Sequence, residues 1–465
     1  MQKNAFNERK VVLDILLTVE RVDAHQHAYI RDTLDQYDSL PPQQKAFMHR
    51  LTYGTIERMI QLDYILDRFA RTKMERCEPE IRNILRLGAY QILFMDAVPD
   101  AVAVNESVEL VGNKHKDGQT SFRGYVNAVL RELVRHKEAL PWPKRTGEAN
   151  KDAFYLSVMT SEPYWLCKKF LARFGYEKTE AILKSYLQVR PTTLRVNLTM
   201  PREDLSRTFT ALKGLAAEQK IGLRQNKLLP YALDLANTDS IRLLPGFKEG
   251  HWMIQDVSSM LVAAMAAPKP GQTVMDVCAA PGGKAIHAAE LMKKNGRVLA
   301  CDISMNKCMR IKENINRMRA RGVEVVQADA MVHEKKYEDS ADILFIDAPC
   351  SGLGIIGRKP DIKFNMNPEK ILELQEAQRA IWRAVWNYVK VGGIIMYSTC
   401  TISEEENEEN VKWFLRNSSV KLEPFRDQLP DALRDAPGTA AGMLQLLPGI
   451  HGTDGFFLAR FRRTA

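Results

Sequence analysis

Along the first 140 residues, apolar positions recur every three or four places. Ile81, Ile84, Leu85, Ala89, Ile92 and Leu93 form one stripe; Ile56, Met59, Ile60, Leu62, Ile65, Leu66 and Phe69 form another run. This spacing lines one face of a helix and predicts an all-α bundle. Pro99 interrupts the pattern, and Asp100 is an expected N-cap for AVAVNESVELV. GNKHKDGQ at 112–119 is expected to be a loop. FRGYVNAVLRELVRH is expected to be a further helix, with Val126, Val129, Leu130, Leu133 and Val134 on one side. LPWPKRTGEANKD then breaks all periodicity and reads as a linker.

The middle of the chain mixes periods. YWLCKKFLARFGYEKTEAILKSYL is helical in spacing, whereas TTLRVNLT at 192–199 alternates as a strand does. From about residue 251, short apolar runs alternate with helical stretches: TVMDVC, AIHAAELMKK, RVLACDI, a helix through Met318, VEVVQAD, DILFIDAP, ILELQEAQRAIWRAVWNYVK and GGIIMYST. Such alternation predicts a mostly parallel sheet with helices on both faces. The expected architecture is therefore multidomain: an α bundle over 1–140, a small α+β domain over 141–250, and an α/β Rossmann-like domain over 251–465.

Composition and charge refine this picture. The 465 residues, 45% hydrophobic and 26% charged, describe an ordinary globular chain of two to four domains. The polar start MQKNAFNERK does not read as a signal peptide, and no run approaches the ~18 apolar residues of a membrane span. Seven scattered cysteines without a CxxC pair argue against a disulfide framework or a zinc site and fit a reducing cytoplasm. The net charge of +9 is localised: residues 141–250 hold 18 Lys+Arg against 11 Asp+Glu, whereas residues 1–140 hold 20 of each. Lys168, Lys169, Arg173, Lys178 and Lys184 lie among aromatics there, a pattern that suits phosphate contacts and base stacking. The same pattern also fits an aromatic core with a wet, charged rim.

Ligands of such sheets gather at the carboxyl ends of the strands. The first of those loops is CAAPGGK, Cys278, Ala279, Ala280, Pro281, Gly282, Gly283 and Lys284, whose small residues let backbone amides approach a ligand. It is neither GxxxxGK[ST] nor GxGxxG, so nucleotide triphosphates and nicotinamide are poorly supported. Asp302, Asp329 and Asp347 follow at three successive strand ends. A single such aspartate is as often a helix cap as a ligand. Three behind a Gly-rich loop suit a nucleoside without a pyrophosphate, namely S-adenosylmethionine (SAM).

IDAPCSG at 346–352 and STCT at 398–401 place Cys350 and Cys400 at the ends of what are expected to be neighbouring strands. Carbon 5 of cytosine is too weak a nucleophile to accept a methyl group unaided. A thiolate added at carbon 6 makes it one, splitting a hard step into easier ones. The ring also needs a donor near N3, a role open to a protonated Asp347, and a second thiol could assist release. Glu404, Glu405 and Glu406 are expected at the start of the following helix. There they would favour its dipole and oppose thiolate formation, leaving bound RNA to complete the activation of Cys400.

IDAPCSG and YSTCTISEEEN resemble the paired-cysteine motifs of the RNA cytosine-5 methyltransferases, and DVCAAPGGK resembles their cofactor loop. VPDAVAVNESVELVGNK and GYVNAVLREL are similar to the NusB-like RNA-binding domain of the RsmB (Sun) branch. RPTTLRVNL, WMIQDVSSM and DGFFLARFRR fit that branch as well. The resemblance covers nearly the whole chain and implies a bacterial 16S ribosomal RNA (cytosine-C5)-methyltransferase, acting on the RNA or on a small-subunit assembly intermediate. It implies Cys400 as nucleophile, Cys350 in product release, Cys278 to Lys284 with Asp302, Asp329 and Asp347 as cofactor contacts, and Arg358, Lys359, Pro360 and Asp361 beside the substrate. The competing readings are a non-catalytic RNA-binding assembly or antitermination factor, which leaves both cysteines idle, and a small-molecule or protein methyltransferase, which leaves the basic segment idle.

Overall fold

The structure, a computed structural model, describes residues 6–21, 26–37, 39–111, 122–237 and 241–465. The loop expected at 112–119 lies outside them. The chain forms two compact units, one of residues Met1–Leu187 with Ile356–Asn365 and one of Gln188–Ile355 with Met366–Ala465.

The first unit is helical: α1 (Glu8–Val19), α2 (Gln26–Asp35), α3 (Pro42–Glu57), α4 (Met59–Phe69), α5 (Pro79–Phe94), α6 (Asp100–Leu110), α7 (Phe122–His136), α8 (Ala149–Thr160) and α9 (Tyr164–Tyr186). α5 is buried around most of its circumference, as expected of the central helix of a bundle. Arg86 lies inside that core because Asp63 accepts from its Nε and Nη2 at 2.7 and 2.6 Å, and Glu20 accepts from its Nη1. α6 begins at Asp100 itself, with Pro99 in the capping position, so the expected N-cap is displaced by one residue. Asp100 instead pairs with Lys137 at 3.1 Å. α9 is interrupted at Gly175, whose φ of 73° and ψ of 177° no other residue type adopts readily.

The second unit opens with a small antiparallel sheet. β1 (Thr192–Val196), β2 (Gly222–Gln225), β3 (Ala232–Ala236) and β4 (Trp252–Ile254) pair in the order β2-β3-β1-β4, with α10 (Arg202–Gln219) after β1. Leu194, Leu212, Leu235 and Trp252 form its core. The α/β part follows as α11 (Val257–Ala266), β5 (Thr273–Asp276), α12 (Gly283–Leu291), β6 (Arg297–Asp302), α13 (Met305–Met318), β7 (Val323–Gln327) and β8 (Ala341–Asp347). The short helix α14 (Ile362–Asn365) belongs to the first unit. α15 (Pro368–Val385), β9 (Val389–Thr399), α16 (Glu408–Asn417), β10 (Val420–Leu422), β11 (Met443–Leu446) and β12 (Phe456–Arg463) complete the second.

The large sheet runs β10-β12-β9-β8-β5-β6-β7, with β11 on β12. β9, β8, β5, β6 and β7 are parallel; β12 adds antiparallel to β9. The interior of β8 is almost wholly buried, as a strand covered on both faces must be. Strand order reverses between β5 and β8, and sheets of this kind take ligands at the carboxyl ends of the strands beside such a switch point.

Candidate active site

β5 ends at Asp276, and α12 starts at Gly283, so Cys278 to Gly282 turn the chain at the switch point. Gly282 has φ of 100°, and a Cβ there would sit 3.2 Å from Ile311 Cγ2, which restricts the position to glycine. The Ala280 amide donates to Asp302 Oδ2 at 3.2 Å, and Lys307 Nζ lies 3.4 Å from Oδ1. Asp302 thus closes β6 directly against the loop. Asp329 stands two residues past β7, and its Oδ1 accepts the Met331 amide at 2.9 Å.

Lys284 reaches from α12 to Asp347 Oδ2 at 2.7 Å, while Ser398 donates its hydroxyl to Asp347 Oδ1 at 2.6 Å. The ammonium also lies 5.6 Å from the ring centre of Phe456. Burial opposes its charge, but Asp347 and Asp276 outweigh that and hold its pKa above the ordinary value. Asp276 is wholly buried, and neither carboxyl oxygen has a hydrogen-bond partner among the described residues. Burial, with the negative charge of Asp347 added, pushes Asp276 up to about 7. The acceptor-rich rim of Asp302, Asp329 and Asp347 suits ribose hydroxyls and a cationic ligand. These residues fit SAM.

β8 and β9 are neighbouring parallel strands in which Asp347 faces Ser398. That register brings Cys350 and Cys400, each just past its strand, to an Sγ–Sγ distance of 3.3 Å. Both are partly exposed. The contact with Cys400 foremost, then burial, pushes the Cys350 thiol well above its ordinary value, and Glu406 adds to the shift. The Gly354 amide donates to the Cys400 carbonyl at 3.1 Å. A Cβ on Gly354 would lie 2.2 Å from the Gly455 carbonyl oxygen, so side chains are excluded from this crossing.

The glutamates after Cys400 depart from expectation. α16 begins only at Glu408, and residues 404–407 form a turn. Glu406 is fully buried. Its carboxylate accepts the Ser351 amide at 2.8 Å, the Ser351 hydroxyl, and Gln378 Nε2 at 3.0 Å. Gln378 Nε2 also donates to the Pro349 carbonyl at 2.9 Å, and Ser351 Oγ lies 2.7 Å from Thr401 Oγ1. Asn407 accepts from Thr399 Oγ1 at 2.6 Å and donates to the Thr401 carbonyl at 3.1 Å. Glu406 is therefore a clamp between the two cysteine loops rather than a helix-start device. Its donors satisfy a carboxylate that burial holds above the usual range.

Sequence reasoning missed Gln378, Ser398 and Asp276, and it gave Glu406 only a helix-start role. Periodicity could not show which glutamate of the run turns inward. Arg358, Lys359, Pro360 and Asp361 lie in Ile356–Asn365, which groups with the helical unit. Pro360 and Asp361 are buried there. Nearby Lys363 Nζ donates to the carbonyls of Glu57 and Ser161 at 2.6 Å each. Among the described residues no cluster could hold a metal, and no helix is long and apolar enough to cross a membrane.

Comparison with known proteins gives a consistent answer. Residues 263–462 match the family 16S rRNA methyltransferase RsmB/F, and residues 6–135 match the NusB family. The chain is 35% identical to the probable ribosomal RNA small subunit methyltransferase B of Bacillus subtilis over 98% of both chains. It is 31% identical to ribosomal RNA small subunit methyltransferase B of Citrobacter koseri, covering 90% of this chain and 93% of that one. The crystal structure of PH0851 superposes with a TM-score of 0.78 at 25% identity, covering 99% of this chain and 100% of its own. NSun6 from Pyrococcus horikoshii, solved with SFG, shares the fold at a TM-score of 0.54 and 24% identity, covering 64% of this chain and 97% of its own. The chain belongs to the RsmB/F family of SAM-dependent 16S rRNA methyltransferases and carries a NusB-family domain ahead of its Rossmann-like methyltransferase domain.

Proposed function

We propose that this protein methylates carbon 5 of a cytosine in 16S ribosomal RNA through a transient bond between Cys400 Sγ and carbon 6 of the base. The observation that carries the reading is the 3.3 Å approach of Cys350 and Cys400 beside the Lys284–Asp347 pair at the strand switch point.

Bound SAM supplies an electrophilic methyl group. The remaining work falls to side chains of the chain itself. Cys400, as thiolate, adds to carbon 6 and leaves carbon 5 electron-rich. Asp347, held by Lys284 and Ser398, is the acidic group available to both ribose and base. When the carbon 5 proton has gone to a base, the carbon 6–sulfur bond breaks and its electrons return to Cys400. Cys350 Sγ, 3.3 Å from Cys400 Sγ, lies where it can hydrogen-bond the departing sulfur and so assist that release. Cys278 to Lys284, Asp302, Asp329 and Asp347 hold the cofactor in this reading.

The test incubates the protein with methyl-labelled SAM and unmodified small-subunit rRNA, followed by nuclease digestion. Label in 5-methylcytidine is the expected outcome. Label in another nucleoside, in protein, or nowhere removes the reading.

A further inference from the structure

We propose that the helical unit carries a separate stacking cleft for single-stranded RNA, formed where the 141–147 segment meets α8 and α9; this rests on the reading of the substrate as RNA. The cleft has a volume of about 430 Å³ and is lined by Lys144, Thr146, Asn150, Lys151, Phe154 and Tyr164. Phe154 and Tyr164 are 45% and 41% exposed, unusual for two aromatic rings sharing one hollow.

The rings are backed rather than loose. Tyr64 packs edge-on to Phe154 at 5.9 Å, and Trp142 stacks on Tyr64 at 6.4 Å. Tyr64 Oη donates to the Pro141 carbonyl at 3.1 Å. Asp152 accepts the Thr146 and Gly147 amides at 2.9 and 3.0 Å and so fixes the cleft wall. The hollow is thus formed before anything binds, which lowers the ordering cost of binding.

Charge selects the ligand. Lys144 and Lys151 line the cleft, and Lys168 Nζ lies 5.8 Å from the Tyr164 ring centre. Lys151 is shared with Glu148 at 2.8 Å, whereas Lys144 and Lys168 have no carboxylate partner among the described residues. No acidic side chain lines the hollow. Flat exposed rings flanked by unneutralised ammonium groups match bases joined by phosphates, because every base offers a π-face and every linkage a negative charge.

The experiment measures binding of unmodified small-subunit rRNA to full-length protein carrying Phe154→Ala with Tyr164→Ala, to Phe154→Trp, and to Lys144→Ala. Loss of one stacked base weakens binding about 5- to 150-fold. The double variant should therefore raise Kd at least about 5-fold while it remains folded, and SAM affinity and kcat at saturating RNA stay at wild-type values. Phe154→Trp should retain wild-type affinity, and Lys144→Ala should flatten the salt dependence of log Kd by about one unit. A double variant that folds normally and binds RNA within twofold of wild type overturns the inference and leaves the face to a protein partner. Because the readout is affinity, failure of the cytosine assignment would show instead as RNA bound but not methylated at carbon 5.

Discussion

Glu406 accepts both the backbone amide and the hydroxyl of Ser351, so a carboxylate six residues past one cysteine fixes the residue beside the other. Removing it leaves the buried Ser351 amide without an acceptor and takes one acceptor each from the Ser351 hydroxyl and Gln378 Nε2, which keep Thr401 Oγ1 and the Pro349 carbonyl. Each unsatisfied group costs about 1–3 kcal/mol, partly recovered by water. Glu406→Ala should lower unfolding stability by about 3 kcal/mol in urea titrations. It should also cut kcat by about 100-fold, because a displacement of about 1 Å at reacting groups has that effect. The exposed Glu404 is the control, and Glu404→Ala should stay within about 0.5 kcal/mol. Equal behaviour of the two variants would contradict the clamp.

The thiols should separate by role. Cys400→Ala is expected to abolish methyl transfer while SAM still binds, as isothermal titration would show. Cys350→Ala is expected to accumulate a covalent protein–RNA adduct, seen as a shifted band on a denaturing gel, because attack survives and release stalls. Wild-type turnover in the Cys350 variant would remove its role.

Asp276 gives a pH signature. Its carboxyl titrates at about 7 in the folded chain against 3.8 when unperturbed, so the folded state binds the proton more tightly. Its contribution is complete below about pH 3.8 and is lost as pH rises through 7. Asp276→Asn does not ionise. The melting temperature of the variant relative to wild type should therefore climb between pH 4 and 7 and level off above. A constant difference across that range would show Asp276 to be ionised already in the folded chain.

Glu423 behaves in the opposite sense. Hydrogen bonding by Arg462, opposed by burial and reinforced by Arg460, holds it at about 2 against 4.5. Stability from this group is present above 4.5 and fades as pH falls toward 2. Glu423→Gln should lower the melting temperature at neutral pH, and the gap to wild type should close on acidification. An undiminished gap near pH 2 would assign the effect to packing instead.

Much of the fold was legible in the chain. The 3.6-residue stripe through Ile84 and Leu85 marked α5, and alternating apolar runs marked β5 to β9 in order. DGFFLARFRR carried no periodic signal for β12, whose antiparallel place beside β9 depends on partners distant in sequence. Asp100 as N-cap missed by one residue because Pro99 already held the capping conformation.

The sequence by itself determined which chemical groups reach the strand ends: a Gly-rich turn, three aspartates and two thiols, because strand period and loop position follow from local residue order. Only the tertiary structure decided their mutual distances and states of charge. The Asp347–Ser398 register brings the two sulfurs together, Lys284 crosses from α12 to Asp347, and burial turns Glu406 from an apparent helix-start charge into a structural acceptor. Hydrogen bonding and desolvation depend on neighbours brought close by folding, and no local pattern of residues records those neighbours.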